Sequence, residues 1–347
     1  MKILVIGNED RYRKYMPDLV VIKNSTIVFL PLGIDDNEIL ENAWDCDAVI
    51  ADPMAEVSAE LINKMPNLKI IQSEAVGFNK FDCEAAKMKG IYVCNCKGAN
   101  ADAVAEQTIL LMLGSLRSII IGDREERAGN QMAMKKRLMY EGLTELSDCK
   151  VGLIGFGDIA KATAKRLAAF NCEVVYNKHT RVSKEVEKEY NVSYTDIDTL
   201  LKECDIVSIH CPVTNETTKM VDAEFLSKMK KTAYLINTAR GEIVDNEALY
   251  NAIVTGKILG AGLDTVAPEP TIKDNILLNL PEEFKNRIIF SPHIGGISTA
   301  FFRRAHSFDW QNVEKTLQGK IPEYIVNNVT EKESEVLLTG RENNKFI

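Results

Sequence analysis

No two of the eight cysteines stand in CxxC spacing. The nearest pair, Cys94-x-Cys96, lies at the end of an apolar run. That pattern excludes a disulfide framework or a cysteine-based metal site, and reduced, buried thiols of a cytosolic protein are expected instead. Basic runs and basic faces are absent too, and the formal net charge is −8. Nucleic acid is therefore not expected as a partner. No apolar stretch is long enough to span a bilayer, so no membrane partner is expected. The longest, around Thr108 to Leu113, reads as a core helix. The first residues, Met1 to Gly7, are apolar over too short a run for a signal peptide and meet a turn at once. They read as a strand, and a cytoplasmic location is expected.

What is present is an α/β alternation. With 347 residues the chain has room for two domains with their own cores. Lys2–Gly7, Ile27–Leu30, Ala48–Ala51, Leu68–Gln72 and Ile91–Val93 read as strands, with helices at Asn37–Ala43 and Ser58–Met65 between them. Ser58 reads as a helix N-cap. The first turn, Gly7-Asn8-Glu9-Asp10, lacks a second glycine and is assigned no nucleotide. An apolar helix follows over Asn100–Gly114 and leads into a second α/β unit. A charged, partly helical surface connection covers Arg124–Thr144. Later strands are expected at Glu173–Tyr176, Ile206–Ile209, Tyr234–Asn237, Gly260–Leu263 and Ile288–Phe290, then a helix over Ser298–Leu317 that returns to the first domain. A loose polar tail is expected from Glu331.

The second unit opens on Val151-Gly-Leu-Ile-Gly-Phe-Gly-Asp-Ile-Ala160. Strand, glycine turn and helix in that order form a dinucleotide-binding fingerprint. Gly155 permits the tight turn. Gly157 lets the backbone approach a pyrophosphate, which suits the N–H groups at the helix start, at Asp158 and Ile159. Ala160 stands where a third glycine is common and is still small. Ligands of open parallel sheets bind at the carboxyl ends of strands. There the chain places Thr238-Ala239-Arg240-Gly241, then Asp264 and Glu269, then Ser291-Pro-His293-Ile-Gly295-Gly296. Singly, Arg240 reads as a surface arginine, Glu269 as part of an exposed turn and His293 as a loop histidine. Converging on successive strand ends, they read as chemistry.

These stretches, with Ala99-Asn-Ala-Asp-Ala-Val-Ala-Glu106, resemble the D-isomer-specific 2-hydroxyacid dehydrogenases in order over about residues 45 to 327. The resemblance implies two similar open parallel-sheet α/β domains. A Rossmann cofactor domain (101–296) would be inserted in a flavodoxin-like substrate domain (1–100 and 297–347). It implies reduction of a small 2-oxo acid (glyoxylate, hydroxypyruvate or an aliphatic one) to the D-2-hydroxy acid by NAD(P)H. Arg240 would bind the carboxylate and polarise the carbonyl, His293 would be the acid–base, and Glu269 would orient His293. Ala75, Val76 and Gly77 would offer backbone N–H groups to the carboxylate. Thr238, Ala239, Asp264, Gly295 and Gly296 would lie on the nicotinamide side, and His210, Cys211 and Pro212 would pass the adenosine. Met54 would border the substrate side chain, or simply be a core methionine. A homodimer is implied around the Asn100–Gly114 helix and Arg124–Thr144.

One departure bears on the cofactor. Where the family often has Asp after the second strand, this chain reads Tyr176-Asn177-Lys178-His179-Thr180-Arg181. With the carboxylate missing, Asn177, Lys178 and Arg181 could meet a 2′-phosphate, so NADP is expected over NAD. Two other readings stand: a short 3-phosphoglycerate dehydrogenase, and a non-catalytic nucleotide-sensing protein of the corepressor kind. The formate branch of the family has Gln where Glu269 stands.

Overall fold

The computed structural model describes residues 1–334. In chain order its first elements are β1 (Lys2–Ile6), α1 (Glu9–Tyr15), α2 (Val20–Lys23), β2 (Thr26–Leu30), α3 (Asp36–Ala43), β3 (Ala48–Ala51), α4 (Ala59–Lys64), β4 (Ile70–Ser73), α5 (Cys83–Met88) and β5 (Tyr92–Cys94). β3, β4 and β5 are buried at every residue, as strands covered by helices on both faces must be. Helix starts are set by side chains: Asn8, Asp35, Ser58 and Asp82 accept from the N–H groups of Arg11, Glu38, Leu61 and Ala85. Each such cap contributes about 1 kcal/mol. The sheet is wholly parallel in the order β2-β1-β3-β4-β5, a flavodoxin-like order.

The chain continues through α6 (Ala101–Leu116), α7 (Ile119–Arg127), α8 (Gln131–Glu141), β6 (Lys150–Ile154), α9 (Asp158–Ala169), β7 (Glu173–Asn177), α10 (Lys184–Tyr190), β8 (Ser193–Tyr194), α11 (Ile197–Glu203), β9 (Ile206–Ile209), α12 (Ala223–Lys228), β10 (Tyr234–Asn237), α13 (Asn246–Val254), β11 (Gly260–Leu263) and β12 (Ile288–Phe290). This sheet runs β12-β11-β10-β9-β6-β7-β8, all parallel. The order reverses at β6, which is the Rossmann arrangement. One face packs Val207, Leu235, Leu249 and Ile253. The other packs Leu111 and Met112 of α6 against Leu153, Phe156 and Ile236.

The last long helix, α14 (Thr299–Leu317), is capped by Ser298. Its Trp310 and Val313 are fully buried with Ile3, Val5 and Ile50 of the first sheet. Residues Met1–Asn100 and the described residues from Ile297 to Ser334 form one compact unit, and Ala101–Gly296 form the other. The expected tail begins differently. Glu331 to Ser334 are helical, started by Thr330 and Glu333 bonded reciprocally. The rest of that tail lies outside the described residues. Every cysteine is free, and six of the eight are buried. No single helix among the described residues is long and apolar enough to cross a membrane.

Candidate active site

The fingerprint turn in the second unit is shaped by close backbone approach. Gly155 has φ +93°, and a Cβ there would lie 2.7 Å from the His210 carbonyl carbon and 2.8 Å from the Cys211 nitrogen. Only glycine fits, and the stretch His210-Cys211-Pro212 is thereby brought against the fingerprint. Gly157 is the opposite case, because a Cβ there would meet nothing within 4 Å. It is the N-cap of α9 and offers no side chain to the first N–H groups, those of Asp158 and Ile159 among them. Open space in front of unsatisfied helix donors is what a pyrophosphate needs, so these residues fit a dinucleotide. Burial lowers the His210 imidazole to about 4. The ring is therefore neutral near pH 7, with Nε2 at 2.9 Å from the Ser208 hydroxyl.

Three consecutive strand-end loops carry the reactive side chains. After β10, the buried Asn237 folds the turn on itself. Its Oδ1 accepts from Ala239 N–H at 3.0 Å and its Nδ2 donates to the Arg240 carbonyl at 2.9 Å. The Thr238 hydroxyl is 2.9 Å from that of Thr108 on α6. Arg240 is thus presented on extended backbone and is exposed. Its Nη1 donates to the Ala239 carbonyl at 2.7 Å, and the rest of its fork has no partner among the described residues. Gly241 seats this turn against the next loop, since a Cβ there would fall 2.2 Å from the Ala267 nitrogen.

That next loop carries Glu269. The Ala267 carbonyl accepts from Asn246 Nδ2 at 2.6 Å and Asn275 Nδ2 at 2.9 Å, which fixes the loop from two sides. The peptide bonds before Pro268 and Pro270 are cis. Glu269 Oε1 is hydrogen-bonded to His293 Nδ1, and both side chains are about two-fifths exposed. His293 has φ 52°, in the left-handed region. It is held there by its N–H donating to the Asp264 carbonyl at 2.8 Å.

Asp264 is 3% exposed and locks the same loop through its carboxylate. Oδ1 accepts from the Ser291 hydroxyl at 2.5 Å and Ile294 N–H at 3.1 Å, and Oδ2 accepts from Gly295 N–H at 2.8 Å. Gln107 of α6 donates to the Ser291 hydroxyl at 2.9 Å. These protein donors occupy Asp264, so its visible work is to set the His293–Gly295 backbone. Gln107, Asn237, Asn246, Asn275 and Ser291 carry none of the expected roles, yet they hold the residues that do.

The end of β7 is less open than a count of cations suggests. Asn177 Nδ2 donates to the Thr195 carbonyl at 2.9 Å. Arg181 donates Nε and Nη2 to Glu187 at 2.7 and 2.9 Å, and its guanidinium lies over the Tyr194 ring. Bonds from Arg181 and then Lys184 hold the Glu187 carboxyl down at about 2. Lys178 is exposed and has no ion-pair partner among the described residues.

In the first unit, the loop after β4 spends all three of its carbonyls on protein donors. Ala75 C=O accepts from Cys96 N–H at 3.0 Å, Val76 C=O from Asn95 Nδ2 at 2.8 Å, and Gly77 C=O from the Ser73 hydroxyl at 2.6 Å. Ala75 N–H reaches Ser73 Oγ at 3.3 Å. The N–H groups of Val76 and Gly77 have no partner among the described residues. Two adjacent free donors on a fixed loop suit an anion. Met54 is 60% exposed and so is not a core methionine.

Residues 109–295 match the family model described as D-isomer specific 2-hydroxyacid dehydrogenase, NAD binding domain. A protein of Thermofilum pendens named glyoxylate reductase is 39% identical over 290 residues, which cover 84% of each chain. One of the same name from Thermococcus litoralis is 36% identical, over 83% of this chain and 86% of its own. The NAD-complexed structure of a D-isomer specific 2-hydroxyacid dehydrogenase from Lactobacillus delbrueckii ssp. bulgaricus gives a TM-score of 0.80 at 28% identity, covering 94% of this chain and all of that one. With more than half its length matched to the family and such relatives over most of both chains, the chain belongs to the D-isomer specific 2-hydroxyacid dehydrogenases, a family of nicotinamide-dependent oxidoreductases.

Proposed function

We propose that the chain is a glyoxylate-type reductase that turns small 2-oxo acids into D-2-hydroxy acids. The observation that carries this is the Glu269–His293 pair on a loop pinned by Asp264. With Nδ1 engaged by Glu269, the outer nitrogen, Nε2, is the proton-carrying atom. During reduction it gives its proton to the substrate carbonyl oxygen as charge develops there, and during oxidation it takes the proton back. Glu269 fixes the ring and offsets the imidazolium charge. Arg240 holds the carboxylate with its planar fork and polarises the carbonyl. The N–H groups of Val76 and Gly77, with Ala75, are the carboxylate's backbone donors in this reading, and Met54 limits the side chain. A bound nicotinamide supplies the hydride. Gly155, Gly157, Asp158 and Ile159 would hold its pyrophosphate, His210, Cys211 and Pro212 its adenosine side, and Thr238, Ala239, Gly295 and Gly296 its nicotinamide side. Asp264 acts through the His293 loop. Glyoxylate comes first among substrates because relatives at 33–39% identity carry that name.

The cofactor proposed is NADPH. No carboxylate stands at the end of β7 where the family often has Asp, and Lys178 is open; Asn177 ends the same strand and Arg181 follows it, but they already bond Thr195 and Glu187. A cytoplasmic homodimer completes the proposal. Ile119, Ile120, Met139 and Tyr140 on α7 and α8 are each more than half exposed, an apolar surface that a second copy would cover. A single-copy mass in solution would discard the dimer. The purified chain assayed with NADPH and NADH against glyoxylate, hydroxypyruvate and aliphatic 2-oxo acids tests the rest. Turnover of glyoxylate with the higher kcat/KM for NADPH is expected. An equal or NADH-favouring ratio removes the NADPH preference, and tight cofactor binding without turnover of any acid removes the enzyme.

A further inference from the structure

The first unit buries a charged network that the proposed chemistry does not use. Arg11 on α1 donates Nε to Glu74 Oε1 at 2.7 Å and Nη2 to Glu74 Oε2 at 2.5 Å. The same Nη2 reaches Asp52 Oδ2 at 2.8 Å. His306 of α14 is fully buried, and its Nε2 bonds Glu74 Oε1 at 2.8 Å. Glu74 is 2% and Asp52 9% exposed. Burial opposes a charged Glu74, but the bonds from His306 and Arg11 outweigh it, and the carboxyl sits below its ordinary range. Phe302 and Tyr12 flank the guanidinium with their rings.

The carboxylates stand at the ends of two adjacent strands, each at the root of a loop. Asp52 follows β3, and its Oδ1 accepts from Met54 N–H at 2.9 Å. Glu74 follows β4 and directly precedes Ala75-Val76-Gly77, and its N–H donates to the Ala51 carbonyl at 2.9 Å. Pro53 lies against Gly77, within 3.6 Å of where a Cβ would stand. Buried ion pairs are poor at adding stability but good at fixing one arrangement where others compete. A guanidinium does so through rigid, planar donors.

We propose that Arg11 is a positioning residue for substrate binding, its fork bridging Glu74 and Asp52 so that the Val76–Gly77 donors and Met54 keep one fixed relation. The inference rests on the proposed role of those two loops. Arg11→Lys keeps the charge but offers one ammonium where two carboxylates need a fork. It should raise KM for glyoxylate about tenfold or more, with kcat within about threefold and the dissociation constant of the reduced cofactor within about twofold, because the fingerprint lies in the other unit. Glu74→Gln should shift KM in the same direction and serves if Arg11→Lys does not fold. A merely structural role predicts a lower melting temperature with an unchanged KM in the folded protein. That result in either variant, or a loss confined to kcat or cofactor affinity, overturns the proposal. If the wild-type chain turns over no 2-oxo acid, the proposed function fails and this inference with it. If the wild type is active and KM in the variants is normal, only the inference fails.

Discussion

Replacing Asp264 by Asn asks whether charge holds the His293 loop. The carboxylate takes Ser291 Oγ and Ile294 N–H on one oxygen and Gly295 N–H on the other. An amide has a single oxygen. If it faces Gly295, its NH2 meets the Ile294 N–H, donor against donor. If it faces Ile294 and Ser291, its NH2 meets the Gly295 N–H instead. Ser291 eases the first arrangement little: its second lone pair can accept from the amide, but its own O–H then loses the Asp264 oxygen it donates to. Either way one backbone donor loses its partner and the others lose charge assistance. A hydrogen bond to a charged group contributes about 1.5–3 kcal/mol net, so a loss of about 2 kcal/mol is expected. In a domain of roughly 200 residues that lowers Tm by about 4 to 8 °C. A shift of the imidazole by about 1 Å costs up to about a hundredfold in rate, so kcat should fall between about tenfold and a hundredfold. Calorimetry and steady-state kinetics read the two effects. Wild-type kcat and Tm in Asp264→Asn would refute the reasoning, and a defect confined to cofactor affinity would return Asp264 to the nicotinamide.

His293→Ala should lower kcat by about 10² to 10⁴ through loss of the proton donor, while cofactor binding stays near normal; a smaller loss would hand the proton to another group. Arg240→Ala should damage kcat and KM together, because in the proposed function the same fork binds the carboxylate and polarises the carbonyl; an effect on KM alone would reduce it to a binding residue. His210 gives a pH test of stability. Its ordinary value of 6.5 is lowered to about 4 by burial, so as pH falls through that interval the unfolded chain takes a proton that the folded chain refuses. Stability drops across the window and the loss levels off below it, by at most about 3 kcal/mol and less for the ring's partial exposure. Urea melts of wild type and His210→Asn at both ends of the window should show the variant's stability changing less, and identical slopes would remove His210 as the cause.

Strands such as β3 and β11 are legible in the sequence because a parallel sheet buries both faces and writes them as unbroken apolar runs. Short elements are not. α1 is almost wholly charged or aromatic, α5 has six residues, and β8 is two residues at the sheet edge, so none carries a period long enough to read. The same division runs through the site. Gly155, Arg240, Glu269 and His293 stand in the loops that follow strand ends, where topology alone directs the search for function. The residues that hold their loops reach across sequence: Gln107 to Ser291 and Asn246 to Ala267. Arg181 shows the cost of counting charges without that geometry, since its partner Glu187 is half a helix away and occupies two of its nitrogens.

Both units solve one problem in one way. A strand end in a parallel sheet leaves backbone donors and acceptors with no neighbouring strand to meet. A polar side chain at or just beyond it, Asn237 and Asp264 in one unit and Ser73 in the other, satisfies some of those groups and thereby chooses which remain. Around Ala75–Gly77 the acceptors are consumed and two donors are left, a leftover that suits negative charge. Around His293 the donors are consumed by Asp264 and an imidazole backed by a carboxylate is left, a leftover that suits a group gaining a proton. In the proposed reading, the first kind of leftover suits the acid function of a 2-oxo acid and the second its reducible carbonyl.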